Sequence, residues 1–489
     1  MRKALDRQRR LDCPSIAQLR LNLNCRTEIV PILVALQHIY SRSELRDPIL
    51  RIIGKDVNGK SSAKRGRKGL DYWEILVLAA VRLGCNFDYD ELQNLAEEHR
   101  ALRHVMGLGD WEEESNLDWR RIQDNLTLLR PETIEKINAM IVEEGHRLER
   151  TAAEIVRGDS FVAETNIHYP TDSSLIRDGV GKILRLAADL ASQLGSAGWR
   201  QHKHLFRKAK KLARDIDRIA AKKGSGYKER LKPPYRDLLA LAGTVCGRAD
   251  ELREAAKENG GATLETLALD QELDTFLKRT RQVCEIARRR VLCDETIENH
   301  EKLFSIFEPH TQLYKRGKAG QEIQFGRLVL IFEDGAGFIS HYSVLARDQG
   351  DKDVVVAETR KAQKRHGGRI RRASFDRGFH SPKNQEELAK IVAEPCLPKP
   401  GALQAAEQEK TASVAFRQAR QSHPGVESAI GALQSGNGLE RCRDRTERGF
   451  ERYIGLGVLG RNLHVLGKLC IAEEAPNCLA AGSRRKAAA

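Results

Sequence analysis

Two hydrophobic periods alternate along the chain. Residues 1–55 and 70–150 carry apolar positions at helical spacing, as in Trp73, Ile75, Leu76, Leu78 and Ala79. "NFDYDELQNLAEEH" begins a further helix, with Asp88 or Asp90 near its cap, and Pro131 sits where the first turn of another belongs. From Ile155 to Ile167 the composition shifts to strand formers, interrupted by Asp159 and broken at Pro170. Helical spacing returns over 178–300. There Val180, Ile183, Ala187, Leu190 and Leu194 form an apolar stripe that Gly195 ends.

Strands are predicted again over 322–375. "FGRLVLIFED" and "GFISHYSVLA" flank Asp334-Gly335, a hairpin turn signal. "KDVVVAETRKAQKRHGG" reads as a helix stopped by Gly367-Gly368, and "RIRRASFD" as the next strand. "SPKNQEELAKIV" reads as a helix with Ser381 as cap and Pro382 at its first position. "EPCLPKP" is a short strand, 401–424 a mobile loop, "GVESAIGAL" the start of a helix, and "FERYIGLGVLGRNLHVLGKL" a final apolar helix. The pattern predicts an α/β chain: helices over 1–150, a part of mixed strands and helices over 151–177 and 301–470, a helical insertion over 178–300, and a disordered tail over 471–489.

Charge adds a partner to this outline. The chain carries 83 Lys and Arg against 68 Asp and Glu, a net charge of +15, which favours a polyanion. From Arg200 to Arg236 there are fourteen Lys or Arg and three acids, a candidate face for DNA. Lys208, Lys210, Lys211 and Arg214 are its candidate phosphate contacts. "GKSSAKRGRKG", 59–69, is a second basic stretch, read as a linker or a DNA-backbone arm. Ten cysteines are scattered without a C-x-x-C pair or zinc-finger spacing, as expected of reduced thiols in a cytosolic protein. The N-terminus lacks the apolar run of a signal peptide, and the apolar run near Ile75–Val81 is too short for a bilayer. A soluble, cytoplasmic protein with no membrane partner is therefore expected.

Two acids fall on or at strand ends, Asp159 and Asp376, and a third, Glu427, begins a helix. Clustered carboxylates repel and protonate unless a cation offsets the repulsion. Oxygen ligands without Cys or His suit Mg²⁺ or Mn²⁺ rather than zinc. Two such ions roughly 4 Å apart can activate an attacking oxygen and stabilise a leaving one at a phosphodiester. An acid at the end of a core strand is then a metal ligand. Caps and salt bridges are the alternative.

"RGDSFVAETNIHYPTDSSLIRDG", "ASFDRGFHSPKN" and "HPGVESAIGALQSGNGLERCRDR…GFERYIGLGVLGRNLHVLG" resemble the three catalytic blocks of bacterial insertion-sequence DDE transposases, most closely the ISNCY type. "GRKGLDYWEILVLAAVRLGCNFDYDELQNLAEEHRALRHVMGLG" resembles the N-terminal helical domain of that group, and "FEPHTQLYKRGKAGQEIQFGRLVLIFED" the segment that resumes the sheet. The blocks run from about residue 65 to 470. The resemblance implies an RNase H-like mixed sheet flanked by helices, with an N-terminal DNA-end-binding domain. It implies Asp159, Asp376 and Glu427 as catalytic, metal-holding acids with Mg²⁺ or Mn²⁺. Its partners would be terminal inverted repeats and target double-stranded DNA, and its assembly a homodimer or higher oligomer. The protein would be nucleoid-associated when acting.

The sequence departs from the related Y-x-x-R-x-x-x-E-x-x-x-x-x-x-K signature. His423 and Gln434 stand at the R and K places, which leaves Arg377, Arg441 or Arg443 to supply positive charge. Glu394 and Glu440 compete with Glu427 for the third place. Asp348 and Asp353 are expected to be structural, and Asp172 to lie near the rim. The alternatives are an RNase H-like nuclease without strand transfer and a non-catalytic DNA-binding protein descended from a transposase.

Overall fold

In this computed structural model the described residues are 2–5, 12–59, 69–111, 117–222, 224–258, 263–318, 321–401, 408 and 411–486. Residues 60–68 of the expected basic arm, and 402–407 and 409–410 of the expected loop, lie outside them. The helices are α1 (Ile29–Ser41), α2 (Ser43–Asn58), α3 (Tyr72–Gly84), α4 (Tyr89–Glu98), α5 (Arg100–Met106), α6 (Trp119–Leu126) and α7 (Pro131–Leu148). Strand β1 (Ile155–Thr165) follows. Then come α8 (Asp172–Gln193), α9 (His202–Lys222), α10 (Tyr227–Glu258) and α11 (Leu264–Ala287). The chain continues through β2 (Gln312–Lys318), β3 (Gln321–Asp334), β4 (Ile339–Val344), α12 (Asp351–Arg365), β5 (Arg372–Phe375), α13 (Pro382–Ala389) and β6 (Glu394–Cys396). It closes with α14 (Val414–Ser422), α15 (Gly425–Gly431), β7 (Arg441–Cys442) and α16 (Glu447–Lys486).

The fold is mixed α/β, 63% helical, with a mixed seven-stranded sheet. Strand order is β2-β3-β1-β5-β6, with β4 on β3 and β7 on β1. The pairs β1–β5, β5–β6 and β1–β7 are parallel, and β2–β3 and β3–β4 are antiparallel. The chain divides into two compact units, residues 1–166 with 327–489, and residues 167–326. The second is wider than the insertion expected over 178–300. The N-terminal helices share the first unit with most of the sheet.

Local chemistry sets several boundaries. Asp88 caps α4 through the Glu91 N–H, and Glu91 reaches back to the Asp88 N–H. Ser381 caps α13 through the Asn384 N–H, and Pro382 occupies the first turn. Asp334 shapes the β3–β4 turn, its Oδ1 accepting the N–H groups of Ala336 and Phe338. Gly367 and Gly368, at φ +61° and +80°, follow α12. Part of the expected loop is instead α14, because Ser413 accepts the Phe416 N–H and starts a helix.

The first unit is built around α16, which packs on α1, α3 and α7. Over Glu447–Glu473 this helix is long and apolar enough to cross a membrane, yet 72% of its apolar window is buried, as in the core helix of a soluble protein. Gly460 allows the approach: a Cβ there would meet the Gly84 Cα at 2.5 Å. Asn462, fully buried, donates to Asn138 and to the Ile339 carbonyl and accepts the Ile339 N–H. Those bonds tie α16 to α7 and β4. The backbone of α16 runs on to Lys486, through most of the segment expected as a tail.

In the second unit α8 packs on α9, α10 and α11. The stripe Val180, Ile183, Ala187 and Leu190 is buried there, and Gly195, at φ +65°, follows the helix.

Candidate active site

The expected acids come from three elements of the first unit. Strands β1 and β5 run parallel with Gly158 opposite Phe375. Asp159 and Asp376 are the next residue on each chain segment, so two acids far apart in sequence stand at one level, Asp159 within β1 and Asp376 just past β5. Aromatic packing fixes that level. Phe375 stacks against Phe332 and Phe379 at 5.5 Å between ring centres. Gly158 makes room for it: a Cβ there would meet the Phe375 ring at 2.4 Å.

Glu427 lies in the first turn of α15, whose buried Val426, Ala429 and Ile430 face the core. The helix packs on β1, and Arg157 fastens its start. Arg157 donates to the carbonyls of Ser422 and Asp334 and pairs with Glu333 at 3.0 Å. The bare Gly425 leaves room for that side chain, since a Cβ would fall 2.1 Å from the Arg157 guanidinium.

The side chains differ in surroundings. Asp159 is half-buried, and its Oδ1 accepts the Ser160 N–H at 2.7 Å. Asp376 is 55% exposed, with Oδ1 3.4 Å from His423 Nε2 and 4.0 Å from Arg420 Nη1. Glu427 is exposed. His423 is buried, one helical turn before Glu427, with Nδ1 3.1 Å from Ser374 Oγ. Burial lowers the His423 pKa, against the raising effect of Asp376 and, more weakly, Glu427. In the neutral ring Nε2–H is turned to Asp376 while Nδ1 accepts the Ser374 hydroxyl.

The donor set of three carboxylates fits a hard divalent cation. Among the described residues, no three His, Cys, Asp or Glu side chains stand close enough together to hold one as they lie. The acids share one region of adjoining elements, and Asp376 is turned toward His423 and Arg420.

The rival acids differ in how they are placed. Glu394 pairs with Arg372 at 2.7 Å within the sheet. Glu440 is exposed, and its carbonyl accepts the Glu164 N–H. Of the expected basic residues, Arg377 is exposed in the turn directly after Asp376. Arg441 pairs with Glu164 at 2.8 Å. Arg443 is committed to Asn86, in the turn after α3, and to the Tyr453 hydroxyl of α16, a tie within the fold rather than a contact with the acids. Asp353 accepts the Gly350 N–H and caps α12, whereas Asp348 is exposed with φ +62°. Asp172 opens α8 in the second unit, 3.0 Å from Arg290. Lys208, Lys210, Lys211 and Arg214 are exposed on α9 of the same unit.

Sequence reasoning missed Ser374, Arg420 and Arg157, and noticed His423 only as a departure from a signature. The available signal was the four-residue spacing from His423 to Glu427. No family model matches the chain, and neither curated protein sequences nor solved structures give a match.

Proposed function

We propose that the protein is a DDE transposase with an RNase H-like catalytic core, acting in the cytoplasm on double-stranded DNA. It would cleave strands at element ends and transfer the freed 3′-hydroxyl into target DNA. The observation that carries this reading is the placement of Asp159 and Asp376 one step beyond the last register pair of parallel β1 and β5, with Glu427 on the helix packed against β1.

In this reading Asp159, Asp376 and Glu427 would hold Mg²⁺ or Mn²⁺ once their side chains turn together, and the ion would supply positive charge for phosphodiester chemistry. His423 orients Asp376, and Ser374 orients His423. Arg157 fixes the entry of α15, so the reach of Glu427 is set by the sheet. Arg377 and Arg420 supply positive charge beside the acids for a bound phosphate. The N-terminal helices would bind the element ends, and synapsis of two ends would require a dimer or higher assembly.

The test uses the full chain with duplexes from the DNA flanking its gene, with Mg²⁺ or Mn²⁺. Nicking at the ends, followed by joining of a 3′-hydroxyl end to a second duplex, is the expected result. Nicking without joining supports an RNase H-like nuclease instead. End binding without nicking supports a non-catalytic DNA-binding protein.

A further inference from the structure

We infer that α9 is a docking face for double-stranded DNA, holding its phosphate backbone without reading sequence. The inference takes its polyanion from the reading above, but its residues lie outside the three-acid site.

Helix α9 carries eight Lys or Arg and two Asp. Its inner face, Ala209, Ala213 and Ile216, is buried, and the helix packs on α8 and α10. All eight cations are exposed. Lys203, Arg207, Lys210, Arg214 and Arg218 recur at three- and four-residue steps and form one stripe, flanked by Lys208, Lys211 and Lys222. At ~1.5 Å rise per residue the stripe is about 22 Å long.

These charges are not used to hold the fold. Among the described residues only Arg218 has a carboxylate partner, Asp215 at 3.3 Å. The other acid, Asp217, accepts from the Ser173 hydroxyl. Lys210 lies 4.5 Å over the Phe206 ring. Like charges at this spacing repel along a helix, a repulsion that a polyanion relieves.

The neighbouring helix narrows the face. On α10, Lys232 is tied to Glu229 at 2.7 Å and Asp294 at 3.1 Å, and Arg230 to the Ser225 carbonyl at 2.6 Å. Within 200–236, Arg230 and Lys232 of α10 are thus held internally, whereas on α9 only Arg218 has a carboxylate partner among the described residues.

The same surface selects the kind of polyanion. No large hydrophobic side chain on α9 is exposed, so nothing is available to enter a bilayer. Its one aromatic, Phe206, is half-buried beneath Lys210, which leaves no platform for stacking unpaired bases. A row of long cations on a rigid helix suits a duplex strand, which presents a phosphate about every 3.4 Å of axis.

The full chain and a variant combining Lys208→Gln, Lys210→Gln, Lys211→Gln and Arg214→Gln are titrated with two unrelated random-sequence duplexes between about 50 and 200 mM salt. Each phosphate contact contributes about 0.9 to the slope of log affinity against log salt. The variant should have a slope shallower by about 2–4, equal loss on both duplexes, and an unchanged melting temperature. An unchanged slope overturns the inference. So does a loss seen with single strands or anionic vesicles but not with duplex. Cleavage by both proteins with equal slopes removes the face and leaves the catalytic reading. A shallower slope in a chain that cuts nothing does the reverse.

Discussion

The core of the first unit and helix α9 of the second treat charge in opposite ways. In the first, ionic groups are buried and paired. Arg82, 1% exposed, holds Asp444 at 2.7 Å, and Arg452 adds a second contact to the same carboxylate. Glu144 receives His38 and Arg42, His146 pairs with Asp334, and His341 with Glu358. In the second unit, α9 turns eight cations and the exposed Asp217 to solvent, and among the described residues only Arg218 of those cations has a carboxylate partner, whereas Arg253 and Arg290 elsewhere in that unit are paired. Buried pairs cost too much desolvation to raise stability greatly, but they fix which helix meets which strand. An unpaired exposed row contributes little to the fold and is available to a partner.

The contrast predicts the largest stability loss at Arg82. Arg82→Ala leaves Asp444 buried with only Arg452 and removes the guanidinium lying 3.9 Å over the Tyr89 ring. A loss of about 3–5 kcal/mol is expected in urea unfolding, as when one partner of a buried pair is removed. A loss below about 1 kcal/mol would show that the pair is not desolvated in solution.

Acid should weaken the first unit by a second route. Burial, reinforced by His146, pushes the His366 pKa down to about 4. A histidine starts near 6.5 when unfolded, so the unfolded chain binds the extra proton first. The contribution of neutral His366 is complete above about pH 6.5 and is lost as pH falls to about 4, roughly 3 kcal/mol in all. Replacing His366 with Gln should flatten the urea midpoint over that pH window. An unchanged pH profile would mean that His366 is hydrated when folded.

A smaller effect belongs to Asp353, whose carboxylate accepts the Gly350 N–H at the start of α12. Asp353→Ala should cost about 1 kcal/mol while leaving the cleavage rate of the folded fraction unchanged. Loss of cleavage in a fully folded variant would give Asp353 a part in the chemistry. The smallest effect belongs to α9: single Lys→Gln changes at Lys208 or Lys211 should stay within about 0.5 kcal/mol in the same assay. A larger loss would show that these lysines hold the fold.

What was legible in the sequence was local. The Ser381 cap, the Asp334 turn and the Gly367-Gly368 stop depend on residues a few positions away, and each was readable. That Asp159 lies on a strand and that Asp376 follows the end of one was readable too, although β1 runs on past Asp159 to Thr165. Their alignment was not, because β1–β5 register depends on Phe375 packing beside Gly158, a contact across the inserted unit's length of chain. Arg443 was readable as a cation but not as a tie to Asn86 and Tyr453. His423 carried no local signal for Ser374 or Asp376, since its partners arrive with the sheet. On α9 the charge was plain in sequence. That Lys232 is held internally became visible only with Glu229 and Asp294 in place beside it.

The most direct test of the three-acid site is Glu427→Gln, which keeps the shape of the side chain and removes its charge. The full-length variant should bind element-end duplex about as tightly as the unmodified chain and fail to nick it in Mg²⁺ or Mn²⁺. Normal nicking by Glu427→Gln, with nicking lost in Glu440→Gln, would contradict the account and move the third acid to the segment before β7.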